Sequence, residues 1–362
     1  MKHFPKLYLH ALLALLAYLS ICCSVAIAEL RPVEWTEIQQ TLDCNGKTIV
    51  IDAITDFNIP SEACEWTATA HEWTEEELRE FVAVASPGDE NMPRVDEAYP
   101  GIRLINDDIE IALAVADSGI VTVEHAGLSR RYDGGTLGEA SFAILDEPFY
   151  PAVPSLTLFS FDEAMGRLQP VLDALGLDIG QPYYAEAWDA ESLNKNNEEN
   201  YKRAPDYFKN IYWTAKDEIY EMKLPVYYNG IRLYPYGGRL YKNLWVAYTG
   251  VNCTIDASQL LYLQANNCYF ENVTPINETQ PILTLESAIK CFQQIKEDMS
   301  WEDELIVDKI LLEYIVLEND TTSPVSYWLI PAWCFYHKHM TERGLYYTID
   351  KIHALTGEPL DF

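Results

Sequence analysis

The chain is short of basic residues and of the motifs that betray a reaction. Only 25 Lys and Arg stand against 56 Asp and Glu, a formal net charge of −31 over 362 residues. That excess repels phosphate backbones and anionic headgroups, which argues against nucleic acid and direct membrane-surface binding. No Cys-x-x-Cys spacing occurs, so zinc knuckles and thioredoxin-like redox chemistry are not expected. No Gly-x-Ser-x-Gly elbow is present, and neither Asp133-Gly134-Gly135 nor Gly237-Gly238 leads into the Lys-Ser or Lys-Thr of a phosphate loop, so both are turns. His71-Glu72 lacks a second His at helical spacing and is no zincin motif. Beyond the N-terminal stretch, no apolar run is long enough to cross a bilayer.

What is present first is a leader. Lys2 and Lys6 form a short positive region, Leu7 to Leu19 is nearly all apolar, and Ala26-Ile27-Ala28 gives the small-x-small step that a signal peptidase cuts. The sequence therefore predicts a signal peptide over 1–28 and a mature start near Glu29, with an uncleaved anchor as the alternative because Leu7 to Ala28 is just long enough to span. Losing the two leader lysines lowers the basic count from 25 to 23 and takes the balance to −33. A secreted or extracytoplasmic location follows, with attachment to the cell surface if the leader is retained.

Six cysteines follow the leader: Cys44, Cys64, Cys253, Cys268, Cys291 and Cys334. An even count in an exported chain reads as disulfides, although six cysteines allow about 15 pairings. Sequence neighbours suggest Cys44 with Cys64, Cys253 with Cys268 and Cys291 with Cys334. Four glycosylation sequons, at Asn252, Asn272, Asn277 and Asn319, matter only in a eukaryotic source.

Along the chain, three capped amphipathic helices are each followed by alternating strands. Thr74 with Glu77 and Ser160 with Glu163 make capping boxes, and Thr284 opens the third helix. Pro170 is expected to kink the second helix and Gly176 to end it. Strands are predicted at Ile120 to Val123, Leu224 to Leu233, Leu244 to Val251, Val307 to Leu317, Tyr327 to Tyr336 and Leu345 to His353. Pro148 to Pro154 and Thr274 to Pro281 read as boundaries, and polar Ser192 to Ala204 as a solvated excursion. The fold class expected is α+β, in two or three modules of an antiparallel sheet packed against one main helix. Their bounds are 29–150, 155–274 and 281–362.

The run Trp328-Leu-Ile-Pro-Ala-Trp333, followed by Ile349-Asp-Lys-Ile-His-Ala-Leu-Thr-Gly357 and preceded by the Thr284 to Ile295 helix, resembles the end of a PepSY-type module. Thr48 to Ala53, Asn58 to Pro60 and the Thr74 helix resemble uncharacterised secreted or lipid-anchored Firmicutes proteins carrying such modules in tandem, and Tyr220 to Ile231 resembles their middle region. The resemblance implies a PepSY/cystatin-like, extracytoplasmic, non-catalytic module of a family of unknown function. It transfers no functional residue.

Candidate chemistry is therefore sparse. His337 and His339 share a strand face, but His353 falls roughly 20 Å along the strand from them at about 3.3 Å per residue, so no metal site is expected. Acidic pairs such as Asp107-Asp108 and Asp146-Glu147 have the residue types of a glycosidase, yet in so acidic a chain they read as solvated faces. The aromatic residues Tyr227, Tyr234, Tyr236, Tyr241, Trp245 and Trp333 are the stronger lead, because in the middle region aromatics fall on both faces of the pleat. The expectation is a binding or regulatory protein of the cell envelope, without catalytic residue or cofactor, that recognises a protein or glycan. The alternative is an extracellular carboxylate-dependent hydrolase of glycan or peptide.

Overall fold

A long hydrophobic strand becomes the centre of the fold. Within Glu304–Asn319, the residues from Lys309 to Leu317 are buried without a break, which alternation on one face cannot give: both faces of this part of the strand are covered. It pairs antiparallel with Ser326–Thr341, from Val307 opposite His337 to Asn319 opposite Ser326. That strand in turn pairs with Gly344–His353, closing on Thr341 opposite Gly344. The computed structural model describes residues 34–56, 58–85, 94–95, 102–106, 111–116, 119–125, 154–206, 209–238, 240–241, 244–297, 304–319, 321–322, 324–341 and 344–360. The leader, Pro148 to Val153, Asp107-Asp108, Asp133-Gly134-Gly135 and Asp146-Glu147 lie outside them.

Strands distant in sequence complete this sheet. Lys47–Asp56 runs parallel to Glu304–Asn319, with Thr48 opposite Glu304. Trp66–Ala70 lies antiparallel to the start of Ser326–Thr341. From the middle of the chain, Ile231–Leu233 pairs parallel, placing Arg232 opposite Glu313, and Leu244–Val246 pairs antiparallel. The result is a mixed sheet of twelve strands. A second sheet of eight strands runs Tyr184–Trp188, Ile219–Leu224, Gly250–Asp256, Leu260–Asn266, Ile120–Glu124, Ile111–Ala116, Ile102–Asn106 and Arg94–Val95.

The expected α+β modules, each an antiparallel sheet with one helix, are thereby corrected: the described chain is mostly β, the twelve-stranded sheet draws strands from all three stretches, and the eight-stranded sheet draws them from the first two. Period-two alternation locates strands but carries no information about their partners. The turn-rich stretches Pro148 to Pro154 and Thr274 to Pro281 therefore do not bound self-contained sheets, because strands on either side of them pair with distant neighbours.

The helices themselves follow their capping signals. Glu75–Ala85 begins behind Thr74, whose backbone NH donates to Glu77 at 2.7 Å. Phe161–Ala174 carries the complete Ser160 and Glu163 box and holds Pro170 inside it, and Gly176 follows at φ +66°. Leu285–Glu297 opens with Thr284 accepting from the Ser287 NH. The supposed excursion at Ser192 to Ala204 is instead the helix Ala190–Arg203, capped by Asp189, with Leu193 and Asn197 buried one turn apart. Its amides are spent on structure: Asn194 Nδ2 donates to the Trp213 carbonyl at 2.9 Å and Asn197 Nδ2 to the Lys209 carbonyl at 2.9 Å.

Charges inside the twelve-stranded sheet are partnered. Arg232 Nε lies 3.2 Å from Glu313 Oε1, and the Tyr336 hydroxyl donates to Glu313 Oε2 at 2.6 Å. Burial pushes the Glu313 carboxyl up, against the opposing pull of Arg232 and the Tyr336 hydroxyl. Asp350 receives Lys296 Nζ at 2.6 Å and His337 Nε2 at 2.8 Å, fastening the last helix to the hairpin. Burial works to raise Asp350, but His337 and Lys296 overcome it and hold the carboxyl at about 2.

Candidate functional site

Strict alternation in the eight-stranded sheet separates an apolar face from a polar one. Tyr184, Glu186 and Trp188 share a face of their strand, and the register sets Lys223, Glu221 and Ile219 opposite them. The next strand continues the row with Asn252, Thr254 and Asp256, and the one after with Gln264 and Tyr262, which face Thr122 and Glu124. On the reverse face Tyr220, Met222, Leu224, Val251, Cys253, Leu263, Ala265, Val121 and Val123 are buried. Phe159 and Phe161, at the head of the Phe161–Ala174 helix, meet Tyr220 edge-on at 5.0 and 5.5 Å and cover that side. A one-residue slip in any of these strands would exchange the two faces.

On the polar face Tyr184, Glu186, Trp188, Glu221, Lys223, Tyr262 and Gln264 are half-buried, Ile219, Thr254 and Asp256 are buried, and the rows are densely hydrogen-bonded. The Tyr184 hydroxyl donates to Glu186, and the Lys223 ammonium lies 5.3 Å from the centre of the Tyr184 ring. Tyr262 donates to Gln264 at 2.8 Å, and Gln264 Nε2 donates to Thr122 Oγ1 at 3.3 Å. Trp188 and Tyr262 pack on a small apolar patch, Ile219 with Leu261, beside the bulge between Thr254 and Ile255. Glu186 stands directly opposite Glu221, a relation that brings Cβ atoms to about 4.5–5.5 Å. Burial raises the Glu221 carboxyl; Lys223 opposes this and Glu186 adds to it. Burial also lowers the Lys223 ammonium, against the pull of Glu221. Indole and phenol rings beside carboxylates, amides and one amine suit a polyhydroxylated or peptide surface, which offers both apolar faces and hydrogen-bonding groups.

None of the six aromatic residues singled out from the sequence lies on this face. Tyr227, Tyr234 and Trp333 are buried, at 6, 5 and 1% exposure, in the twelve-stranded sheet. Tyr236 is half-buried, stacked edge-on between Tyr234 and Tyr336. Tyr241 belongs to the short strand Leu240–Tyr241, paired with Leu244–Val246. Trp245 is exposed, at 41%, with Tyr248 nearby in sequence at 48%. The residues that sequence reasoning missed, Tyr184, Glu186, Trp188 and Glu221, carried a legible signal: Tyr-Ala-Glu-Ala-Trp alternates large polar or aromatic side chains with alanine.

The cysteines also depart from expectation. Cys44, Cys64, Cys253, Cys268, Cys291 and Cys334 are all free, so none of the three expected pairs is formed. Each thiol has its own setting. Cys44 Sγ lies 3.6 Å from the Gln293 carbonyl, Cys291 Sγ beside Gly357, and Cys334 in the core cluster with Leu311 and Tyr336. Cys253 points into the apolar face of the eight-stranded sheet, and burial pushes it and Cys268 far up, as for small hydrophobes.

The histidines do not converge. His337 holds Asp350, and His353, opposite Ala332, lies 3.2 Å from Glu65 Oε1. Glu65 also accepts from Trp328 Nε1 at 3.0 Å, a tie between the N-terminal strands and the hairpin. Among the described residues no group of three His, Cys, Asp or Glu has metal-binding geometry, and no helix is long and apolar enough to cross a membrane.

No family model matches the chain, and no curated protein matches it. Among solved structures, an uncharacterised protein from Eubacterium rectale is similar over 90% of this chain and 93% of its own, with a TM-score of 0.60 at 15% identity. The C-terminal domain of YpeB from Bacillus megaterium is aligned over 81% of this chain and 97% of its own, with a TM-score of 0.33 at 10% identity. The first likeness shows a shared fold.

Proposed function

We propose that this is an exported, non-catalytic binding or regulatory protein of the cell envelope, which holds a protein or glycan partner on the polar face of its eight-stranded sheet. The observation that carries this reading is the row Tyr184, Glu186, Trp188, Lys223 and Glu221, half-buried side chains standing on one sheet face. The leader-like first 28 residues support export, and the charge of −31 disfavours nucleic acid and anionic lipid as partners. Secretion or surface retention through the N-terminal segment belongs to the same proposal, as does a PepSY-like family affiliation.

The test is retention of the mature chain on isolated envelope from the source organism. Wild type should be retained, Trp188→Ala should lose at least about tenfold in affinity, and no sugar or peptide should be released. A second reading is favoured by one observation, the opposition of Glu186 to a Glu221 carboxyl that burial raises, which sets side by side the two carboxyls a hydrolase requires. Release of product by wild type, abolished in Glu221→Gln, would establish that hydrolase and end the non-catalytic reading. Equal retention of wild type and Trp188→Ala would remove the sheet face from either account.

A further inference from the structure

We infer that a cleft beside His71, distinct from the sheet face, is a second binding site and takes the cationic side chain of a peptide. The cleft measures about 620 Å³ and is walled by His71 to Val84, Ala174 with Leu175, and Tyr269 to Glu271. That volume lies inside the range of roughly 300–1,000 Å³ in which small ligands or single side chains are held.

Its electrostatics are one-sided. Glu77, Glu80 and Glu271 line it, and among the described residues no Lys or Arg does. Facing them is one imidazole: His71 Nδ1 is 2.6 Å from Glu271 Oε1, and Nε2 is 3.5 Å from Glu77 Oε1. Even when His71 donates from both nitrogens as an imidazolium, three carboxylates meet one positive charge, so the cleft stays negative. Its walls are aromatic, with Trp73 edge-on to Tyr269 at 4.7 Å and to His71 at 4.9 Å. Aromatic faces beside carboxylates are the surroundings in which an ammonium or guanidinium is most favoured.

One further observation points to a peptide as the bearer of that cation. Phe270–Pro275, whose first residues line the cleft, is the end strand of the twelve-stranded sheet among the described residues, so an extended peptide has an edge to lie along.

The experiment is calorimetric titration of the mature chain with acetyl-Gly-Lys-Gly-amide and with its norleucine analogue at low salt. The lysine peptide should bind at least about tenfold more tightly than the neutral one, and 0.5 M salt should erase most of the difference. Glu80→Gln, an exposed position without a structural partner among the described residues, should weaken lysine-peptide binding roughly fivefold with an unchanged melting temperature. Glu221→Gln should leave it unchanged, which separates this site from the sheet face. Equal binding of both peptides, binding of neither, glucosamine binding in place of the lysine peptide, or an unaffected Glu80→Gln would each overturn the inference.

Discussion

The two sheets of this molecule treat polar side chains in opposite ways. In the twelve-stranded sheet, Glu313, Arg232, Tyr336, Lys296 and His337 are shut inside and close on one another or, for the last two, on the half-buried Asp350. In the eight-stranded sheet, Glu186, Glu221, Lys223, Tyr184 and Trp188 form rows across one face and are only half-buried. A buried polar group with its partners in place specifies structure, and removing one partner strands the other. A half-buried row on a sheet face leaves hydrogen-bonding capacity for something outside the chain. The difference therefore separates residues that hold the fold from residues available for function.

The largest expected effect tests the first half of that contrast. Glu313→Ala leaves the Arg232 guanidinium buried without its carboxylate and should cost about 3–5 kcal/mol of stability in urea unfolding. Glu221→Gln, a near-isosteric change at a carboxyl that burial already disfavours in its charged form, should shift stability by less than about 1 kcal/mol. Comparable losses in the two variants would erase the distinction between the sheets.

A smaller effect, on the order of 2 kcal/mol, is expected from Asp350. Its folded pKa of about 2 lies below the ordinary carboxylate value of 3.8. A depressed folded pKa contributes stability that is fully present above the unfolded value and is lost as pH falls through the folded one. Stability of the wild type should therefore decline between about pH 4 and pH 2, and Asp350→Asn should be less stable at pH 7 while losing less across that window. A parallel acid profile for the two proteins would show that the His337 and Lys296 contacts contribute nothing.

The helix caps, the three C-terminal strands and the separation of His353 from His337 and His339 could be read from the sequence because each is a local pattern: a capping box, an alternation, a hairpin register. The sheets could not, because Thr48 pairs with Glu304 and Trp66 with Leu329 across more than two hundred residues, and nothing in either segment names the other. The Ala190–Arg203 helix escaped because its buried positions are Leu193 and Asn197, and a buried Asn does not register as part of an apolar seam. The candidate site was missed for a related reason. Aromatic density drew attention to Tyr227, Tyr234 and Trp333, which are core, whereas the site's aromatics are spaced among alanines.

The smallest effects come from the thiols and the exposed ring. Because Cys44, Cys64, Cys253, Cys268 and Cys334 are buried and free, alkylation of the folded mature chain should mark none of these five, and denaturation under non-reducing conditions should release six reactive thiols. A count below six would restore disulfides to the account. Trp245→Ser, at an exposed position, should alter stability by less than about 0.5 kcal/mol, whereas Trp333→Ala, at 1% exposure, should cost about 3–5 kcal/mol.

Amide hydrogen exchange of the mature chain, free and bound to envelope, tests most directly whether the eight-stranded sheet is the side that meets a partner. Added protection should fall on Tyr184–Trp188, Ile219–Leu224 and Gly250–Asp256. Protection confined to the Ser326–Thr341 and Gly344–His353 hairpin, or no change in any strand, would contradict it.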